Sequence, residues 1–171
     1  PIVALVAVVS LGVLAFARSA GPRRNSFYSA YLLCVGGLMG ISITGDLFNM
    51  FVFLEITGIA TYALVAADRS GESAIAALKY LLLGTTGASL FLIGVGYALI
   101  STGTLNMVDL STQLAEIYTT PGGSRGVLAS FGFIAVGLGL KAAIFPLHTW
   151  QPDAYTYAPD TVTVFIAALA S

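Results

Sequence analysis

The sequence predicts an all-α, polytopic bundle of transmembrane helices, and three observations lead there. The 171 residues are 57% hydrophobic and only 9% charged, with a mean hydropathy of +0.92, whereas an ordinary water-soluble domain carries about a quarter charged residues. The apolar runs have the length of helices rather than strands. Backbone groups in lipid must be satisfied internally, which leaves helices or closed barrels, and these runs do not alternate polar with apolar. Five to six spans are expected, one of them broken.

A span needs about 20 apolar residues. Residues 1–17 supply the first helix, followed by the loop "RSAGPRRNS" with Arg18, Arg23 and Arg24. Residues 27–43 form the second helix, "TGDLFN" a tight turn, and 48–67 the third. "DRSGE" is another turn, and 73–101 form a long fourth helix. The polar stretch 102–126 holds Val108, Leu114 and Ile117 at roughly helical spacing, which fits a short helix lying along the membrane surface or a solvated connector. That stretch ends in the breaker "PGGS", and a fifth helix follows over 127–145. A sixth starts near 160, after "PLHTWQPDAYTYAPD".

Loops 18–26 and 68–72 share one side and hold Arg18, Arg23, Arg24 and Arg69, against Arg125 on the other. By the positive-inside rule the first side is cytoplasmic. A net charge of −1 offers nothing to nucleic acid, and the one cysteine, Cys34, reads as a buried small hydrophobe. The chain opens within one apolar run, "PIVALVAVVSLGVLAF", with no initiator Met or charged leader, and closes within another, "VFIAALAS". Residues 1–171 are therefore expected to be one transmembrane domain within a longer protein.

Three ionisable residues fall inside the expected helices: Glu55, Lys79 and Lys141. A charge at the bilayer centre costs at least about 2.5–3.5 kcal/mol, so such groups face a bundle interior or a wet cavity and usually mark an ion route. The plainer reading is a static ion pair that holds helices together, and Lys79, near its helix start, is also within snorkelling reach of the surface. Burial disfavours the charged forms of Glu and Lys, and an opposite charge nearby restores them. A buried Glu–Lys pair is thus poised between two states, and separation pushes the Lys to release its proton. Tyr62, seven residues after Glu55, shares its helix face, with Thr57 and Thr61 nearby. The Thr hydroxyls are expected to bond their own helix carbonyls. Pro146, Pro152 and Pro159 forbid a continuous helix beyond Lys141. Irregular backbone at membrane depth is tolerated only inside protein or along a wet cavity. Such interrupted helices build the ion sites of transporters, although a plain surface loop also fits the pattern. With no second histidine and no cysteine near it, His148 is not expected to bind a metal.

"GDLFNMFVFLEI", "ALKYLLLG", "STGTLNMVDL" and "KAAIFPLHTWQPDAYTYAP", in that order over residues 45–159, resemble the proton-conducting antiporter family. This family includes the D subunit of Mrp-type sodium/proton antiporters and the antiporter-like subunits of respiratory complex I and membrane-bound hydrogenases. "GDLFNMFVFLE" is closer to the Mrp and hydrogenase branch. The resemblance implies two inverted five-helix repeats, of which residues 27–171 are the first. It matches Glu55 to the family's central Glu and Lys141 to the Lys of its broken helix, and it sets Lys79 and His148 on the proton route. Tyr62, Asp153 and Tyr155 are supporting candidates, and Tyr155 stands where the family usually has a His. Whether Glu55 pairs with Lys141 or with Lys79 is open at this point.

The function implied is movement of protons, with sodium as an exchange ion, through one component of a larger membrane complex. The alternative is a structural or assembly subunit that keeps the fold without transport. No haem, iron–sulfur or flavin motif is present, and one cysteine cannot hold a cluster, so no cofactor or catalytic centre is expected here. The expected partners are the lipid bilayer, other membrane subunits, H⁺ and Na⁺, without nucleic acid. The expected location is the cell membrane, of prokaryotic inner-membrane type.

Overall fold

The computed structural model describes residues 1–20, 25–68, 70–119 and 124–170. Arg23, Arg24, Arg69 and most of the "PGGS" breaker, on which the orientation and one boundary rest, lie outside them.

Among the described residues eight α-helices follow in order: α1 (Ile2–Ala20), α2 (Asn25–Ile43), α3 (Leu47–Val65), α4 (Gly71–Thr102), α5 (Met107–Thr119), α6 (Ser124–Lys141), α7 (Gln151–Tyr157) and α8 (Asp160–Phe165). A 3-10 turn extends α3 and a π turn extends α8. No strand forms among the described residues; one antiparallel bridge joins Asp46 to Asn106. The first four helices are each long and apolar enough to cross a membrane. At 32 residues, α4 runs to about 48 Å, longer than the roughly 30 Å hydrocarbon layer. It therefore tilts or projects beyond the layer.

Local chemistry sets the helix ends. Asp46 caps α3 by accepting the Asn49 N–H at 2.9 Å, and Ser70 caps α4 by accepting the Ser73 N–H at 3.0 Å. Gly103 closes α4 at φ 74, a left-handed conformation that glycine adopts without penalty, and its N–H reaches Leu99 O. The α2–α3 turn and the α4–α5 loop are tied where Leu47 N donates to Leu105 O and Met107 N to Gly45 O. The short helix predicted after α4 forms as α5, but Val108 is exposed. Leu114 and Ile117 are half-buried and share an inward face with Met107 and Leu110, so of the three marked residues only Val108 lies off that face.

The tightest packing is α4 against α6, and small residues permit it. A Cβ at Gly137 would lie 2.6 Å from Gly87 O, and one at Gly94 2.9 Å from Ser130 O. Ser130 Oγ donates across the interface to Gly94 O at 2.8 Å. Small residues and interhelical hydrogen bonds are what associate helices where lipid gives no hydrophobic drive. These contacts run α6 antiparallel to α4 and set the end of α6 opposite Gly84.

Two apolar clusters result. One joins α1, α2, the second half of α3, the first turns of α4, and α7–α8 around Tyr31, Cys34, Tyr80, Trp150 and Phe165. The other surrounds Leu47, Phe91 and Val95, with Leu54 and Leu138 against it. Cys34 is fully buried, as expected, with its thiol 3.3 Å from Thr61 Oγ1.

The fifth helix was expected to reach residue 145 and to be broken by prolines. It ends at Lys141, ahead of the first proline. Ile144 N donates to Gly139 O and Ala143 N to Leu140 O, the paired bonds of a Schellman termination. Ala143 occupies its left-handed position, with φ 50, where glycine is usual. The strain at an alanine is of order 1–2 kcal/mol. Pro152 and Pro159 do not break helices: Pro152 lies in the first turn of α7 and Pro159 directly precedes α8.

Candidate functional site

The seam between the two apolar clusters is where the charged residues meet. Lys141, the last residue of α6, extends to α3, and its Nζ donates to Glu55 Oε1 at 2.9 Å and to Leu54 O at 3.3 Å. Glu55 is eight residues into the 19-residue α3, about 12 Å along its axis. The side chains are 15% and 28% exposed for Lys141 and Glu55, so this chain covers most of both. The question left open by sequence is thereby answered in geometry: Glu55 pairs with Lys141.

Two glycines clear the space. A Cβ on Gly58 would stand 3.3 Å from Lys141 Nζ and 3.1 Å from the Tyr62 hydroxyl, and one on Gly84 would collide with that hydroxyl. The cleared space is a cavity of about 70 Å³ lined by Thr57, Gly58, Thr61, Tyr62, Gly84 and Lys141, among others. A water occupies about 30 Å³ of liquid and needs two to four polar partners. The Lys141 ammonium and the Tyr62 hydroxyl offer such partners. Thr57 and Thr61 bond back to Phe53 O and Thr57 O at 2.8 and 2.7 Å, as their place in a helix predicts, and keep lone pairs to spare.

Lys79 does not reach Glu55. It lies eight residues into α4 and pairs with Asp153 in the first turn of α7, Nζ to Oδ2 at 2.6 Å. The side chains there are 55% and 34% exposed. Tyr155, on the same short helix, accepts from Gln151 Nε2 at 3.1 Å. His148 sits in the non-helical segment between α6 and α7, with its ring centroid 5.7 Å from that of Phe145. Its Nδ1 is buried without a hydrogen-bond partner among the described residues.

Sequence reasoning passed over Trp150, Tyr80 and the two glycines. Trp150 is 1% exposed, stacks on Tyr80 with centroids 4.0 Å apart, and donates from Nε1 to Leu140 O at 2.9 Å. It is the chain's one tryptophan and falls in the broken-helix motif, a signal that was available. Intramembrane glycines are common, so Gly58 and Gly84 acquire meaning only from what faces them.

Comparison with known proteins supplies the family. Residues 44–171 match the family model described as NADH:quinone oxidoreductase/Mrp antiporter, TM. The chain is 45% identical to the N subunit of the NADH-quinone oxidoreductase of Desulforudis audaxviator over 173 residues, covering 98% of this chain and 34% of that protein. It is 35% identical to the D subunit of the Na(+)/H(+) antiporter of Bacillus subtilis, with the same two coverages. It thus spans about a third of the length of these curated relatives. Among solved structures, a chain of the membrane-bound sulfane sulfur reductase, an archaeal respiratory membrane complex, superposes with a TM-score of 0.88 at 39% identity, over 97% of this chain and 34% of that one. The all-α architecture, the apolar helices and these matches agree: the protein is a multi-pass membrane protein and belongs to the NADH:quinone oxidoreductase/Mrp antiporter transmembrane family.

Proposed function

We propose that this chain is part of an ion-translocating subunit that moves protons through Glu55, Lys141, Lys79 and His148, with Tyr62, Asp153 and Tyr155 in support. The observation that carries the reading is the 2.9 Å ion pair between mid-helix Glu55 and Lys141, set beside a largely apolar cavity into which the Lys141 ammonium and the hydroxyls of Tyr62, Thr57 and Thr61 project. While the pair is closed, each charge stabilises the other. When Glu55 is drawn away or protonated, the Lys141 ammonium faces its desolvation cost without compensation and gives its proton to a neighbouring acceptor. Water in the Tyr62 cavity is the nearest candidate. Closing the pair again requires Lys141 to take up a proton, so one cycle moves one proton past it.

In this reading residues 27–171 form one five-helix repeat of a longer polypeptide, comprising α2, α3, α4, α6 and the broken α7–α8. Its partners are other membrane subunits of an antiporter or respiratory complex in the cell membrane. Protons are the transported ion and sodium is the candidate exchange ion. The relatives named as subunits of an NADH-quinone oxidoreductase and an Na(+)/H(+) antiporter support this, as does the fold match to a chain of a respiratory complex.

The test is Glu55→Gln in the full-length protein in its native membrane. Inverted vesicles should lose proton uptake by about a hundredfold or more, on the scale of a displaced reacting group, while the protein still inserts and assembles. Normal uptake by the Gln variant would favour the alternative, a structural component with a static ion pair.

A further inference from the structure

We infer that Trp150 is a positioning residue that holds the proton-bearing end of α6 and couples it to the Lys79–Asp153 pair; this rests on the proton-relay reading above. Three observations converge on this one side chain. First, its indole N–H caps α6: Leu140 O, next to Lys141, accepts from Trp150 Nε1 at 2.9 Å and from Ala143 N at a longer 3.4 Å. The last carbonyls of a helix have no partner in the next turn, and here a buried side chain supplies one. Second, the indole lies flat on Tyr80, 4.0 Å between centroids at an interplanar angle of 3°, and Tyr80 directly follows Lys79 in α4. Third, Trp150 is the residue before α7, and its own carbonyl accepts from Ala154 N at 3.1 Å, so its backbone belongs to the turn that carries Asp153.

A displacement of α7 that follows opening of the Lys79–Asp153 pair therefore moves the indole. The indole is 1% exposed and cannot move without dragging or releasing Leu140 O. Loss of the N–H frees the negative end of that carbonyl beside Lys141. Cations are favoured at such helix ends, so the ammonium is held more firmly there. The other titratable groups around Lys141 are Glu55, its ion-pair partner, and Tyr62 from α3 and Tyr80 from α4, which line the same cavity. α5 meets α6 near Val127 and Phe131, at its opposite end.

The experiment uses the full-length protein in its native complex, in inverted vesicles, with assembled protein quantified for every variant. Trp150→Phe keeps a ring to stack on Tyr80 and removes the N–H. Proton uptake should fall about tenfold, the effect of losing a buried hydrogen bond that positions a reacting group, and its pH profile should shift. Asp153→Asn should then add no further loss in the Phe background, because coupled residues are non-additive. If Trp150→Phe fails to assemble, Tyr80→Leu, which removes the stacking partner and leaves the N–H bond, must give the same non-additivity with Asp153→Asn. An unchanged rate and pH profile in Trp150→Phe, or losses that multiply in the double variant, would overturn the inference. Glu55→Gln in the same vesicles separates the levels. If it is inactive while Trp150→Phe is normal, the coupling role alone falls. If it transports normally, the relay reading falls and the inference with it.

Discussion

Two ion pairs among the described residues use the same chemistry in opposite settings. Lys79–Asp153 is the shorter, 2.6 Å against 2.9 Å, yet its side chains are 55% and 34% exposed, against 15% and 28% for Lys141 and Glu55. Asp153 rides on a seven-residue helix, whereas Glu55 sits in the middle of a 19-residue one. Lys79 is five residues from Gly84 along α4, a rise of about 7.5 Å. Distance therefore does not rank them. An exposed pair gains little and is screened by salt. A buried pair is costly to assemble and costlier to leave half-made, about 3–5 kcal/mol when one partner is removed. In the proposed relay the inner pair would hold and release a proton, and the outer pair would pass protons between the bundle and its surroundings.

The largest effect that tests this contrast is the difference between two like substitutions. Glu55→Gln leaves an uncompensated ammonium in the interior and should abolish uptake. Asp153→Asn leaves Lys79 free to find other acceptors, and should lower uptake only a few-fold, on the scale of an exposed pair. Raising ionic strength should reduce the Asp153→Asn effect and leave the Glu55→Gln effect unchanged, read as uptake in vesicles over a salt series. Equal losses at all salt concentrations would erase the distinction between the two sites.

A smaller effect sharpens the inner site. At Gly84 an added Cβ collides with the Tyr62 hydroxyl. Gly84→Ala should therefore push Tyr62 into the cavity and slow uptake about tenfold, the scale of a modest misplacement, while Lys141 still pairs with Glu55. Gly96, whose Cβ would meet nothing within 4 Å, lies on the same helix and is the control: Gly96→Ala should leave uptake unchanged. Similar rates for the two variants would remove the cavity from the account.

Much of this was legible in the sequence, for reasons that vary by element. α1 to α4 follow from apolar length, and the ends of α3 and the start of α4 from the polar turns "TGDLFN" and "DRSGE". Glu55 and Lys141 were visible because a charge inside an apolar run has few explanations. The end of α6 was not legible: Lys141, Ala142 and Ala143 are all good helix formers. The termination comes from a left-handed alanine and from an indole nine residues downstream of Lys141, both tertiary effects. The partner of Lys79 was hidden for the same reason, since Asp153 is 74 residues away in sequence. On α5, Leu114 and Ile117 were placed on the inward face correctly, whereas Val108 is exposed, half a helical turn away from Ile117 at 100° per residue.

The central claim is that Lys141 gives up its proton rather than serving as a fixed counter-charge. Lys141→Arg tests it most directly, because a guanidinium can keep the ion pair with Glu55 but does not deprotonate in proteins. Proton uptake is measured in inverted vesicles carrying the full-length variant, with the assembled complex quantified in parallel. The account predicts normal assembly and loss of uptake. Near-normal uptake with arginine at position 141 would contradict it and leave Lys141 as a static partner of Glu55.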